Sequence, residues 1–418
     1  MDESTLKRHE RLQGLQRANV DAWRGLAPAL DATGLDANIK KHTGFIKRCR
    51  ANMGPDGAAQ LLREVKLLKL EKYVSEIVPA VLEGLQKCKT SSEFSAAIDV
   101  LSALHARFPI QFTVPLVCQA LKQLPPPIIA TLAAMPPEQR ERDEQARLSR
   151  QRPVLRAVSE MYLAGLLWGL DAQPGGAGGV DLAAALTLSR SGPSGGASAN
   201  GKHSAKAKEV VQQPGHCVLV GVLQNLLLGD REHHLSIILA TTFAKALRAD
   251  LALGDGEIAD SCACNIAAAS ALDDGQAPVV SADACRRIRA LLHSYLDSAI
   301  ERQRTLHRGL VRMRESQEER LFNRGVVHAE AKAKLERHTK ALEKLSDSVG
   351  LLCEALGLAP PQMEDPASAK DQLGIVFDGP SVPGGDESSK GGQWEDDEER
   401  MFYTSLLDLR SKIPPAML

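Results

Sequence analysis

Aromatic residues make up only 4% of the 418-residue sequence. Strands are filled by β-branched and aromatic side chains, so this shortage counts against a sheet protein. The density of Leu, Ala, Arg, Glu and Lys points instead to an all-α chain. Net charge is nearly absent as well: 51 basic against 52 acidic side chains leave −1. Such a chain has no polyelectrolyte character of its own, and any surface for nucleic acid or an anionic membrane must be a local patch. Long apolar runs are missing too. The longest, "MYLAGLLWGL", "CVLVGVLQNLLL" and "LSIILATTFAKAL", fall short of the roughly 18 to 20 residues a bilayer requires and read as core helices that are apolar nearly all round. The eight cysteines lack the paired spacing of a zinc site and read as reduced thiols. The opening "MDESTLKRHERLQ" has none of the apolar h-region of a secretory leader, so a cytoplasmic location and no membrane are expected.

Signatures of catalysis are also lacking. There is no phosphate-binding loop, no glycine turn between a strand and a helix, and no nucleophile elbow. No cofactor, metal or small-molecule substrate is expected, and an enzyme is the least favoured class. His233 and His234 are neighbours and on a helix would point about 100° apart. Surface or capping roles suit them better than chelation. Cys262 and Cys264 form a Cys-x-Cys pair with no second pair nearby, and "GDGE" at 254–257 lacks calcium-loop spacing and reads as a turn. His105 follows a core-facing leucine and is expected to be hydrogen-bonded at the edge of a packed helix.

What the sequence does contain is 44% hydrophobic residues, arranged as a succession of amphipathic helical segments. Tyr73, Ile77, Val81 and Leu85 mark one stripe, on a helix that Pro79 should kink. Thr90 with Glu93 three residues on gives a capping-box signal, followed by Phe94, Ile98, Leu101, Leu104 and Phe108 on one face. Residues 1–38 read as an N-terminal helical extension and 39–358 as the main helical domain. Two Gly/Ser/Ala-rich insertions, 171–214 and 252–280, have too little apolar surface to offset ordering entropy. Within 282–358, Ile288, Leu291, Leu292, Tyr295 and Leu296 face Leu335, Leu342, Leu345, Val349 and Leu352 across a turn near Gly325, which predicts a long helical hairpin. Helix pairs of unequal length without a strict period fit an irregular α-solenoid. Residues 359–393 form an acidic Gly/Ser/Pro linker. In 394–418, Asp396 can cap a helix that carries Phe402, Leu406 and Leu409 at i, i+4 and i+7. That stripe, together with Trp394, predicts a docked C-terminal helix.

Two basic clusters stand out. Lys40, Lys41, Lys47, Arg48 and Arg50 flank Ile39, Phe45 and Ile46, and Arg286, Arg287 and Arg289 open the later hairpin. A helix could present either set to RNA phosphates or to a partner, with affinity falling steeply as salt is added. Ordinary helix solvation with interspersed carboxylates is the competing reading, and no aromatic stacking motif accompanies the arginines.

Several motifs resemble the opening domain of the regulator of nonsense transcripts 2 family, the up-frameshift scaffolds of nonsense-mediated mRNA decay. They are Lys41, Phe45, Ile46 and Lys47; Leu70, Lys72, Tyr73 and Glu76; Leu104, His105, Arg107 and Phe108; and, near the end, Trp394, Glu395, Asp396, Phe402 and Tyr403. The resemblance implies an α-solenoid of antiparallel helix pairs, HEAT- or armadillo-like, of the kind found in the middle domain of initiation factor 4G. It implies a non-catalytic scaffold whose partners are mRNA decay factors. The family's sites for the decay helicase and for the exon-junction bridging factor lie beyond the point matching Leu418, so none of those residues is carried over. A translation-initiation or cap-complex scaffold of the same fold, and a coiled-coil adaptor built on 282–358, are the alternative expectations.

Overall fold

The computed structural model describes residues 3–27, 34–51, 53–167, 217–251, 253, 280, 282–324 and 329–363. Among them the regular elements are helical throughout. They are α1 (Glu3–Trp23), α2 (Ile39–Ala51), α3 (Pro55–Leu67), α4 (Val74–Lys87), α5 (Ser91–Arg107), α6 (Val114–Lys122), α7 (Ile129–Ala133) and α8 (Pro137–Leu163), then α9 (Val218–Leu228), α10 (Ile237–Leu247), α11 (Ala282–Arg324) and α12 (Ala329–Leu356). Among the described residues no helix is long and apolar enough to cross a membrane.

Local chemistry sets the helix starts. At α5 the Thr90 hydroxyl accepts from the Glu93 backbone N–H at 3.3 Å while the Glu93 carboxylate accepts from the Lys89 and Thr90 N–H groups at 2.6 and 3.2 Å. This is the reciprocal box expected from the sequence. Those backbone bonds, Lys89 first, hold the Glu93 carboxyl below its usual range. Pro55 opens α3 and Pro137 opens α8, where a missing N–H costs no helical bond. Inside α4 the chain runs through Pro79 without ending the helix.

The packing order is that of a solenoid. Helix α2 lies on α4 and α3 on α5, so like members of successive pairs stack; α9 on α11 and α10 on α12 repeat the scheme. Helix α8 joins the two halves, packing on α4 and α5 on one side and on α9 and α10 on the other. The stripes read from the sequence form the core: Ile77, Val81, Leu85, Phe94, Ile98, Leu101, Leu104 and Phe108 are all buried. Helices α2 and α4 approach so closely that a Cβ on Gly84 would lie 2.1 Å from the Cys49 carbonyl oxygen.

Residues 3–23, set apart by the sequence as an extension, form α1, which packs along α5. The Arg8 guanidinium spans Glu160 of α8 at 2.9 Å and Asp250 just beyond α10 at 2.9 Å. Glu160, almost fully buried, also takes Arg156 at 2.6 Å. Buried ion pairs of this kind add little net stability but fix which elements meet, since either charge left alone would be costly.

The family-like motif at 104–108 is architectural. His105 is fully buried, with Nδ1 2.7 Å from the Thr113 hydroxyl and Nε2 3.1 Å from the Asn19 carbonyl of α1. It is hydrogen-bonded as expected, in the core rather than at an edge. Burial pushes its pKa down to about 4. Arg107 donates to the Val65 and Leu68 carbonyls, both at 2.7 Å, and to Glu71 at 2.5 Å. It thereby satisfies carbonyls at the end of α3 that have no helical partner.

Helices α11 and α12 pair as the predicted hairpin, and at 43 residues α11 is about 65 Å long given a rise of 1.5 Å per residue. Its base is core: Ile288, Leu292, Tyr295, Leu296, Val349 and Leu352 are buried. Leu335 and Leu342 are only half-buried, because beyond the solenoid each helix has just the other to pack against, and Leu345, also half-buried, packs at the edge of the core. The hairpin is thus continuous with the stack through α9 and α10 rather than a free coiled coil. Gly325, the insertion 171–214, all of 252–280 but Leu253 and Val280, most of the linker and the segment 394–418 lie outside the described residues.

Two local expectations are corrected. Ile39, one of the apolar residues flanked by the first basic cluster and expected to lie on the buried side of its helix, is 67% exposed, because as the first residue of α2 it lies a turn short of the stripe made by His42, Phe45 and Cys49. His234, expected at the surface or as a cap, is buried with φ of +56°. It sits in the turn before α10, with Nε2 2.9 Å from the Ser298 hydroxyl of α11.

Candidate functional site

The basic residues singled out in the sequence are largely neutralised by carboxylates on other elements or one turn away. Lys41 meets Asp36 at 2.5 Å, Arg48 meets Glu64 of α3 at 2.6 Å, and Arg50 meets Glu83 of α4 at 2.8 Å. Arg286 and Arg287 share Asp283, at 3.8 and 2.8 Å, and Arg289 is half-buried. Lys40 and Lys47 are exposed and form no ion pair among the described residues. The two clusters belong to different parts of the stack, α2 lying on α4 and α11 on α9. Trp394, Phe402, Leu406 and Leu409 lie outside the described residues.

The structure assembles a different cationic surface. Along one face of α8 run Arg142, Gln145, Ser149, Arg152 and Arg156, spaced three, four, three and four apart as one helical stripe requires, and all five line two adjoining hollows. The first, about 450 Å³, lies between α8, the start of α5 and α10, with Phe94, Phe243 and Leu247 in its walls and Lys89 and Arg152 among its lining cations. The second, an open groove of about 980 Å³, lies between α8, the 233–238 turn and the hairpin, and takes in Arg302, His338 and Lys344. Ser149 and Arg152 line both and form the saddle between them.

Six Lys and Arg side chains line the two hollows against two carboxylates, Glu141 and Glu144. Burial raises the Glu144 pKa, opposed by Lys344 and Arg147. Arg156 is committed to Glu160 at 2.6 Å, and Lys344 lies 3.6 Å from Glu141. Lys89, Arg142, Arg152 and Arg302 make no ion pair among the described residues. Cys88, in the wall of the first hollow, has its thiol pushed up to about 11 by burial, so it is a neutral wall group rather than a nucleophile.

The groove wall near α10 is rigid and polar. Asp230, fully buried, accepts from the Ser236 N–H at 2.5 Å and the Tyr295 hydroxyl at 3.0 Å. The Ser298 hydroxyl donates to the Tyr295 carbonyl at 2.7 Å. It must therefore accept from His234, which places the imidazole proton on Nε2. Burial first, then Arg302 and His233, push the His234 pKa down to about 4. The arrangement offers fixed positive charge around apolar walls, which is the chemistry of binding, and among the described residues no three His, Cys, Asp or Glu converge on a metal position.

The sequence had marked Phe94 and Leu345 as stripe residues, His233 and His234 as surface or capping groups and Arg302 within the basic run of the later hairpin, but not the α8 line that gathers them. The one available signal was the α8 stripe itself, a polar line at helical period within "RERDEQARLSRQRPVLR".

No family model matches the chain. Against solved structures it superposes on the N-terminal mIF4G domain of Saccharomyces cerevisiae Upf2 with a TM-score of 0.62 at 21% identity, over 87% of this chain and 99% of that one. The fold is that of a MIF4G domain. The yeast protein Upf2 is involved in the degradation of mRNAs containing premature stop codons. In sequence, the chain is related to S. cerevisiae nonsense-mediated mRNA decay protein 2, at 34% identity over 164 residues, 38% of this chain and 14% of the relative. It is also related to the Arabidopsis thaliana regulator of nonsense transcripts UPF2, at 22% identity over 400 residues, 92% of this chain and 27% of the relative. This MIF4G domain therefore spans only a minor part of the length of those proteins. Among the motif residues read from the sequence, Phe45, Leu70, His105 and Phe108 are all buried.

Proposed function

We propose that the chain is a non-catalytic scaffold of nonsense-mediated mRNA decay, acting in the cytoplasm with mRNA decay factors as partners. The observation that supports this reading is the alignment of 92% of the chain with a regulator of nonsense transcripts, together with the shared MIF4G fold. Of the basic residues marked in the sequence, Lys40 and Lys47 keep charge that no carboxylate offsets among the described residues, and they carry any RNA contact made by α2. The test is a pair of reporter mRNAs differing by one premature stop codon, followed after transcription shut-off in cells depleted of the chain. Selective lengthening of the half-life of the stop-containing reporter is the expected result. Equal decay of the two, with a fall in bulk translation instead, would replace this reading with an initiation scaffold of the same fold.

A further inference from the structure

We infer that the stripe on α8 is a docking site for an acidic, amphipathic helix of a partner protein, with one bulky apolar side chain of that helix seated in the 450 Å³ hollow. The inference stands on the groove alone and survives if the decay reading fails. Length supports it: the 14-residue separation of Arg142 and Arg156 is about 21 Å of helix, or four turns of a ligand laid alongside. The hollow has the capacity of a pocket that takes one apolar side chain, and Phe94, Phe243 and Leu247 form its apolar floor with only their edges reached from outside, each 3% exposed or less.

Charge complementarity decides the sign of the partner. Lys89 and Arg152 line the apolar hollow and Arg142 and Arg302 line the adjoining groove, and none of the four has an ion-pair partner among the described residues. A carboxylate-bearing helix would pair them at both ends of an apolar anchor, which is the helix-in-groove mode of recognition. Single-stranded RNA fits less well. Strand-tracking grooves combine cations with exposed aromatic faces on which bases stack, whereas Phe94 and Phe243 are each only 3% exposed.

The test is affinity selection on the purified chain with a displayed library of random 16-residue peptides of unbiased composition. The enriched peptides are then made synthetically and titrated by fluorescence anisotropy. They are expected to carry net negative charge with at least one Leu, Phe or Trp. Arg152→Glu is expected to weaken their binding about tenfold or more, the scale of a lost charge-assisted hydrogen bond, and added salt should weaken it as well. Ser149→Trp, which plugs the saddle sterically, should weaken it to a similar degree. Both positions are exposed, so the melting temperature should stay within a degree or two of wild type, given that surface substitutions rarely exceed about 0.5 kcal/mol. Should Arg152→Glu fail to fold, Lys89→Glu at the far rim serves in its place. The inference is overturned by an absence of enrichment, by enriched peptides without acidic bias, or by affinities that neither variant changes. Binding of a labelled 16-nucleotide oligouridine that depends on Arg152 while peptides fail would overturn it in favour of RNA.

Discussion

Replacing Gly84 by alanine should destabilise the protein, against the general rule for glycine inside a helix. Alanine in a helix interior gains roughly 0.5 to 1 kcal/mol over glycine through backbone entropy. At Gly84, however, the new Cβ would sit 2.1 Å from the Cys49 carbonyl oxygen and 2.9 Å from the Met53 sulfur. Ordinary contact begins near 3.4 Å, and since 3.4 − 2.1 = 1.3, α2 and α4 would have to part by about 1.3 Å. The carbonyl is helix backbone and cannot swing aside as a side chain could. A gap of 0.5 to 1 Å already forfeits roughly a quarter to a half of each dispersion contact along the seam. Overpacking costs about 1 to 3 kcal/mol, and a clash this deep with rigid backbone belongs at the upper end, so the net loss is about 2 kcal/mol, or several degrees in melting temperature at roughly 2 to 4 °C per kcal/mol. Gly350 in α12 is the internal control, because a Cβ there meets nothing within 4 Å. Gly350→Ala should raise the melting temperature slightly. Thermal melts of both variants followed by circular dichroism at 222 nm decide the matter. A Gly84→Ala protein melting at or above wild type would refute the close crossing of α2 and α4.

Two further outcomes are expected. His105 has a folded pKa of about 4 against about 6.5 in the unfolded chain. The unfolded state therefore binds more protons between those values, and stability falls as pH drops from 6.5 towards 4. Urea midpoints measured from pH 7 to 4.5 should fall, and His105→Gln should flatten that dependence while lowering the midpoint at pH 7; an equally steep profile in the variant would assign it elsewhere. Arg107→Met removes the donors to Val65, Leu68 and Glu71. At roughly 1 to 3 kcal/mol for a buried acceptor left unsatisfied, it should lower the urea midpoint and speed hydrogen exchange at the end of α3, and unchanged exchange there would remove Arg107 from that role.

The stripes at helical period, the capping box at Thr90 and Glu93, the long hairpin and the all-α class were readable from the sequence, because each depends on residues within a few turns of one another. The resemblance carried by Leu104, His105, Arg107 and Phe108 pointed to the fold for a related reason. His105 and Arg107 hold α5 to α1 and α3, and Leu104 and Phe108 are buried in the core. Charge was a different matter. Whether Arg48 stands free depends on Glu64 in another helix, and that pairing has no sequence period. The groove is more remote still: Lys89, Arg142, Arg152 and Arg302 converge only because α8 packs between the two halves of the stack. The sequence by itself determined the helices and the faces they bury, since burial of an apolar stripe is a local pattern. Only the tertiary structure decided which charges remain unpaired and where they gather, since Coulomb energy follows distance in space and not along the chain.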